Sequence, residues 1–212
     1  MKIRTITEKE STWAELKALS EAGKLGEVLK SGDNIPVTLK SGEEVSFDVG
    51  KDEGGKIYFV MHDCLKAPKP MNEDCTNEGG WEECEMRKYL NEEVIKLLPD
   101  ELQEIIKPAK IVQVWDGKRR ETEDKLFLLS RTQVFGKDKN YETIEPDDSQ
   151  IDIFENQRGC VKECEELESV FCWWLRSPIS SGSVSCCYVC MGGTVSSIYP
   201  YFSFGVAPAF CI

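Results

Sequence analysis

Only one histidine, His62, occurs among the 212 residues, and no charged side chain follows Arg176. The first scarcity removes most hydrolytic chemistry, because any Ser/His or Cys/His nucleophile would have to be built on that single imidazole. It sits in a stretch rich in Pro, Asn, Asp and Gly, where a structural hydrogen bond is the expected role. No Gly-rich phosphate cradle is present either, since Gly54-Gly55 and Gly79-Gly80 read as turns. No apolar run approaches the length of a membrane-spanning helix, and Met1-Lys2-Ile3-Arg4-Thr5 leads into no signal segment, so synthesis in the cytoplasm is expected. Positive charge is short as well: 26 Lys and Arg stand against 38 Asp and Glu, a net charge of −12. Lys118-Arg119-Arg120 is the one compact basic run, so neither nucleic acid nor an anionic membrane is an expected partner.

Against these absences, 41% of the residues are hydrophobic, with five Trp and nine Phe, which is enough for a substantial core. The chain reads as one domain over residues 1–212, with a helix-and-hairpin part at 1–61 and a distinct C-terminal segment at 171–212. Ten cysteines without an export signal are expected to be reduced thiols or metal ligands, not a disulfide framework. Cys160 and Cys164 have a zinc-compatible spacing, and Cys64, Cys75, Cys84 and His62 are the candidates to complete a site. No tight second pair accompanies them, so no metal or other cofactor is expected, and buried thiols acting as small hydrophobes are the simpler reading. Cys186 and Cys187 are adjacent and would point to opposite faces of a strand.

Along the chain, Trp13, Leu16, Leu19, Leu25, Val28 and Leu29 keep helical spacing, broken by Gly23 and Gly26 into two short helices. Ile35, Val37 and Leu39, a turn at Lys40-Ser41-Gly42-Glu43, and then Val45, Phe47 and Val49 predict a hairpin with one buried face. The unbroken apolar run from Ile57 to Met61 predicts a central strand. His62 to Trp81 reads as a long ordered loop. Met86, Tyr89, Leu90, Val94, Leu97 and Leu98 form one helical stripe stopped by Pro99, and Leu102, Ile105 and Ile106 mark a second short helix. Ile111, Val112 and Val114 are strand-like, Trp115 to Glu123 reads as a charged loop, and Leu126 to Leu129 as a buried strand or the approach to one. Lys137 to Glu168, acidic and poor in apolar anchors, reads as a long surface loop. The class is α+β, with short helices and small antiparallel sheets.

The last stretch breaks with this composition. Between Trp173-Trp174-Leu175-Arg176-Ser177-Pro178 and Gly205-Val206-Ala207-Pro208-Ala209-Phe210, the segment from Ile179 to Phe204 contains no Lys, Arg, Asp, Glu, Asn or Gln. Gly192-Gly193 marks a hairpin turn within it. Arg176, if buried, must meet a carboxylate or backbone carbonyls.

These end motifs resemble the C-terminal half of a bacterial and phage domain of unknown function with a Trp-Trp-Leu-Arg-Ser-Pro signature. The likeness extends upstream through Pro36-Val37-Thr38-Leu39, the run from Met71 to Trp81, Met86-Arg87-Lys88-Tyr89-Leu90-Asn91 and Lys125-Leu126-Phe127-Leu128-Leu129-Ser130. That family is similar to the variable proteins of diversity-generating retroelements, which have a C-type-lectin-like fold related to formylglycine-generating enzymes. The resemblance implies a non-enzymatic ligand-binding protein whose terminal segment is a diversified surface for a partner protein or cell-surface ligand, with the product staying cytoplasmic or carried on a virion. It leaves the oligomeric state open. An oxidoreductase related to the formylglycine-generating enzymes, or a metal-stabilised structural module, is the alternative.

Transferred residue by residue, the resemblance gives scaffold roles to Trp173, Trp174, Leu175, Arg176, Ser177, Pro178, Val189, Gly193, Val195, Gly205, Val206, Pro208 and Phe210. It leaves Ser181, Ser183, Ser185, Cys187, Tyr188, Cys190, Ser196, Ser197, Ile198, Tyr199, Tyr201, Phe202 and Ser203 as outward ligand contacts. Ser, Tyr and Gly are also what antibody paratopes favour: Tyr gives rigid amphipathic contact area, and Ser and Gly give adaptable hydrogen bonding. In the retroelement family, variation falls on adenines of Asn-type codons whose third base is held. Codons of that kind ending in C never encode Met, Trp, Lys, Glu or Gln. Ile179 to Phe204 keeps to that alphabet apart from Met191.

Overall fold

The computed structural model describes residues 12–138, 144–155, 158–164, 169–179 and 184–212. The chain enters through α1 (Trp13–Glu21), started by a capping box in which Thr12 Oγ1 accepts from Glu15 N and Glu15 Oε2 accepts from Thr12 N. Gly23, with φ of +67°, separates it from α2 (Leu25–Val28). The two pieces lay Leu16 and Leu25 on the core.

The main sheet has the order β1-β2-β3-β11, all antiparallel. It consists of β1 (Asn34–Thr38), β2 (Glu44–Glu53), β3 (Lys56–Met61) and, from the far end of the chain, β11 (Ala209–Cys211). β3 lies between two neighbours, which explains its unbroken apolar run, whereas β1 at the edge alternates. Phe210 stacks on Phe59 at 5.0 Å and meets Phe47 edge-on at 4.9 Å, so the closing strand fills the core rather than merely covering it. On its other side, Ala209 exchanges hydrogen bonds with Phe127 at 2.7 and 3.0 Å, which places the Leu126–Leu129 run inside.

Between these strands lies the helical region. It comprises α3 (Gly80–Glu83), α4 (Glu85–Tyr89), a π-helical turn (Leu90–Val94), α5 (Ile95–Leu97) and α6 (Asp100–Ile105). The expected single helix before Pro99 is therefore widened in its middle. The widening falls at Asn91, whose amide donates to Arg87 O and Leu126 O while its carbonyl accepts from Lys125 N and Leu126 N.

Two expectations are corrected. Trp115 to Glu123 is not a loop but part of a hairpin of β4 (Ala109–Trp115) and β5 (Lys118–Asp124). It turns on Asp116 and Gly117, with φ of +49° and +69°, the two-residue Asp-Gly turn that suits strand twist. The charges that hid the strand are cross-strand partners, such as Lys110 with Glu121 at 2.8 Å. Likewise, the described parts of Lys137 to Glu168 are not a surface cover. They bury Ile144, Glu145, Ile151, Phe154, Cys160, Lys162 and Cys164, and include β6 (Lys162–Cys164), paired with β7 (Ser169–Phe171). Sparse anchors misled the reading because the few that occur, Ile144, Ile151 and Phe154 among them, are fully used. Lys162, for instance, donates to Met61 O and His62 O while lying over the Trp173 ring.

α7 (Arg131–Phe135) precedes this region, and the second sheet follows it in the order β10-β9-β8. Its strands are β8 (Trp173–Pro178), β9 (Cys186–Val189) and β10 (Val195–Ile198), the last two joined through Gly192-Gly193. Small antiparallel sheets with short helices make the fold α+β. No helix among the described residues is long and apolar enough to cross a membrane.

Candidate functional site

Every residue of β8 is buried. Successive side chains alternate sides, so the tandem tryptophans brace opposite faces of the second sheet. Trp173 Nε1 donates to Cys160 O at 2.8 Å, and Trp174 Nε1 donates to Lys69 O at 2.9 Å. Arg176, 1% exposed, donates to Leu128 O at 2.8 Å, to Gln133 Oε1 at 2.6 Å and to Asp148 Oδ2 at 2.5 Å. That carboxylate and carbonyl set is what a buried guanidinium requires. Gln133 is itself held by the Ser130 capping box of α7. Next to it, Ser177 Oγ donates to Glu145 Oε1 at 2.6 Å. Burial pushes the Glu145 carboxyl from an ordinary 4.5 up to about 7, against the opposing pull of Arg176 and the Ser177 hydrogen bond.

On this base sits the segment 184–204. Its return loop is pinned at both ends by backbone bonds: Pro200 O accepts from Met71 N at 2.8 Å, and Phe204 and Lys69 exchange bonds at 2.9 and 3.1 Å. Phe204 packs against Trp174 and Tyr188 at 4.9 and 4.7 Å, the inner support of the loop. Tyr201, Phe202 and Ser203 between the pins, and Tyr199 just before the first, are exposed. Tyr199 stacks on Tyr201 at 5.8 Å, and Tyr201 on Phe202 at 4.8 Å. The large hydrophobic side chains exposed among the described residues are Val28, Val161, Val184, Met191, Tyr199, Tyr201 and Phe202, and five of these seven fall between 184 and 202. The structure therefore gathers its apolar exposure where charge is missing.

The expected contacts divide as follows. Ser181 and Ser183 lie outside the described residues. Ser196 and Ser197 are exposed, while Ser185, Tyr188, Cys190 and Ile198 are half-buried. Cys187 is corrected: at 1% exposure it belongs to the core, because it alternates with Tyr188 on β9 and shares the inner face with Val189. The scaffold positions are buried apart from Val195, which is half-buried.

Asn77 was missed as a contributor. Its amide donates to Ser185 O at 2.8 Å and to Ile179 O at 3.4 Å, tying the long loop to both flanks of 180–184. A short polar residue in a Gly-rich loop was the available signal. A groove of about 280 Å³ opens beside Lys69, whose ammonium lies over the Tyr89 ring at 4.5 Å, with Glu73, Lys88 and Glu92 on its walls.

Two of the buried thiols and the histidine have structural partners. Cys84 Sγ donates to Met71 O, and Cys164 Sγ to Lys66 O. His62 Nδ1 pairs with Asp48 Oδ2 at 2.7 Å on the surface. Among the described residues, no three His, Cys, Asp or Glu side chains are grouped to hold a metal ion.

The fold and surface define an α+β protein with a rigid base and an uncharged, aromatic exposed face. The chain belongs to a family described as a domain of unknown function (DUF6273), matched over residues 56–212, from the first residue of β3 to the C-terminus. No curated protein and no solved structure matches it.

Proposed function

We propose that the protein is a non-enzymatic binding protein of C-type-lectin-like fold whose C-terminal face, centred on Tyr199, Tyr201 and Phe202, recognises a partner protein or cell-surface ligand. The observation that carries this reading is the coincidence of exposed aromatics with a charge-free stretch on a tightly hydrogen-bonded base. Solubility alone does not select three stacked aromatic rings at a surface, whereas recognition does: they offer large contact area at little entropic cost. The separation of roles supports diversification of this face in the manner of retroelement variable proteins. Side chains that hold the fold are buried, and Ser197, Tyr199, Tyr201, Phe202 and Ser203 are exposed and can change without disturbing them, while Ser196 also hydrogen-bonds the half-buried Tyr188.

Two measurements test it. Copies of the locus from independent isolates should differ mainly at adenines in the codons for the exposed positions, beside a reverse transcriptase gene and an imperfect template repeat. Differences spread evenly over buried scaffold codons would overturn the diversification. For binding, the protein is compared with a Tyr199→Ser, Tyr201→Ser, Phe202→Ser variant of equal stability in adsorption to intact cells and virions. Equal behaviour of the two places recognition elsewhere.

A further inference from the structure

Cys172 and Cys190 face each other across two antiparallel strands. The register of β8 on β9 pairs Trp173 with Val189 and Trp174 with Tyr188, so the next rung outward sets Cys172 opposite Cys190. Neighbouring hydrogen bonds show which kind of rung this is. Gly205 N donates to Cys172 O at 2.8 Å, and Trp174 N donates to Gly205 O at 3.0 Å, so these groups point away from β9. On the facing strand, Cys190 N donates to Thr194 O at 2.7 Å, away from β8. The rung is therefore a non-hydrogen-bonded pair, in which Cα atoms stand about 4.5 Å apart and side chains lie closest. A disulfide spans Cα separations of roughly 4.4–6.8 Å, so the backbone is already placed for one.

The side chains agree with the backbone. Trp174 and Tyr188, on the same pair of strands, meet edge-on at 6.2 Å, and the Tyr188 hydroxyl is within hydrogen-bond reach of Cys190. Cys172 and Cys190 are close enough to interact electrostatically. Both are free thiols and both are half-buried, so an oxidant can reach them. Cys64 and Cys84 are sealed in, and burial pushes them up to about 12 and about 11, which leaves them inert, whereas at the half-buried Cys172 the upward push of burial is opposed by a hydrogen bond from the Met191 backbone.

We propose that Cys172 and Cys190 form a reversible oxidation site that closes to a cross-strand disulfide with a small-molecule disulfide as oxidant. One thiolate attacks the oxidant, forming a mixed disulfide and releasing one small thiol. The second thiolate attacks the protein sulfur of that mixed disulfide, forming the Cys172–Cys190 bond and expelling the other small thiol. The protein loses two protons and two electrons, and the oxidant gains both. The bond staples the open end of β8 and β9, close to Tyr188 and at the base of the turn into β10. The site stands independently of the binding reading.

The test uses the full chain with Cys75→Ser, which removes the exposed thiol at no cost to the core. The protein is equilibrated in buffers of oxidised and reduced glutathione, alkylated, digested and mapped by mass spectrometry. The expected result is a Cys172–Cys190 linked peptide, with loss of alkylation at both sites, restored by dithiothreitol and absent after Cys172→Ser or Cys190→Ser. Both thiols still alkylated in the most oxidising buffer, or either one bridged to a different cysteine, overturns the proposal. The mapping is done with both target residues in place, so it does not depend on those variants folding.

Discussion

Trp81 Nε1 and Thr122 Oγ1 both donate to Asp124 Oδ2, at 2.9 and 2.7 Å, while Arg87 Nε donates to the other oxygen of the same carboxylate, Oδ1, at 2.7 Å. Three elements of separate sequence origin, α3, α4 and β5, thus meet on one carboxylate that is 2% exposed. Truncating it leaves an indole N–H, a hydroxyl and a guanidinium facing a void. Asp124→Ala is expected to cost about 3–5 kcal/mol in urea unfolding, the range for breaking a buried charge pair by removing one partner. Asp124→Asn keeps an acceptor for Trp81 and Thr122 and should cost clearly less. Equal losses would mean that the charge facing Arg87 carries the whole effect and that the acceptors offered to Trp81 and Thr122 add nothing.

Glu145 makes stability depend on pH. Its folded-state carboxyl titrates near 7 because it is buried, whereas in the unfolded chain it titrates near 4.5. Between these values the folded protein holds the proton that the unfolded chain has lost. The stability this gives is complete below about pH 4.5 and is lost as pH rises through about 7. The total is on the order of 3 kcal/mol, at about 1.4 kcal/mol for each tenfold difference in proton affinity between the folded and unfolded chain. Unfolding free energies at pH 5 and pH 8 should therefore differ more for the native sequence than for Glu145→Gln, whose amide can still accept from Ser177. Parallel pH curves for the two proteins would sink this assignment.

His62 gives the second titration, readable without assignment work because there is only one histidine. Its hydrogen bond with Asp48 raises its pKa above the ordinary 6.5. A raised value means that the pair helps the fold while the imidazole is protonated and stops helping as pH climbs past the folded-state pKa. An NMR titration of the ring protons should show the elevated midpoint, and Asp48→Asn should bring it down. A midpoint that ignores the substitution would remove the pair from the solution structure.

Much of this architecture was legible where one periodicity acted alone. The two helical pieces around Gly23, the first hairpin, the central position of Ile57 to Met61 and the turn at Gly192-Gly193 follow directly from spacing. Legibility failed where polar residues do buried work. In β5, charges paired across the hairpin masked strand alternation, although Asp116-Gly117 marked its turn. In the acidic region, Glu145 and Lys162 are each buried against partners far along the chain, which no local pattern encodes. The exposed face was read from missing charge, and that signal does not separate Cys187 from Tyr188. Assigning their faces requires the strand register, which brought Trp174 to Tyr188 and left Cys187 inside.

That division of labour within one strand yields the sharpest expectation. Side chains at Ser197, Tyr199, Tyr201, Phe202 and Ser203 are exposed on a base whose bonds run through Pro200, Phe204 and Trp174, so exchanging them leaves those bonds in place. A variant with all five replaced by other small polar or aromatic residues should unfold within about 2.5 kcal/mol of the native protein, since surface changes away from special features are each worth about 0.5 kcal/mol or less. Val189→Ser, a single change in the same region, should cost more than all five together. It empties a fully buried site and leaves a hydroxyl without water beneath Trp173. Urea midpoints decide the matter. If the five-fold variant falls as far as Val189→Ser, the exposed residues are holding the fold, and this face is not free to vary.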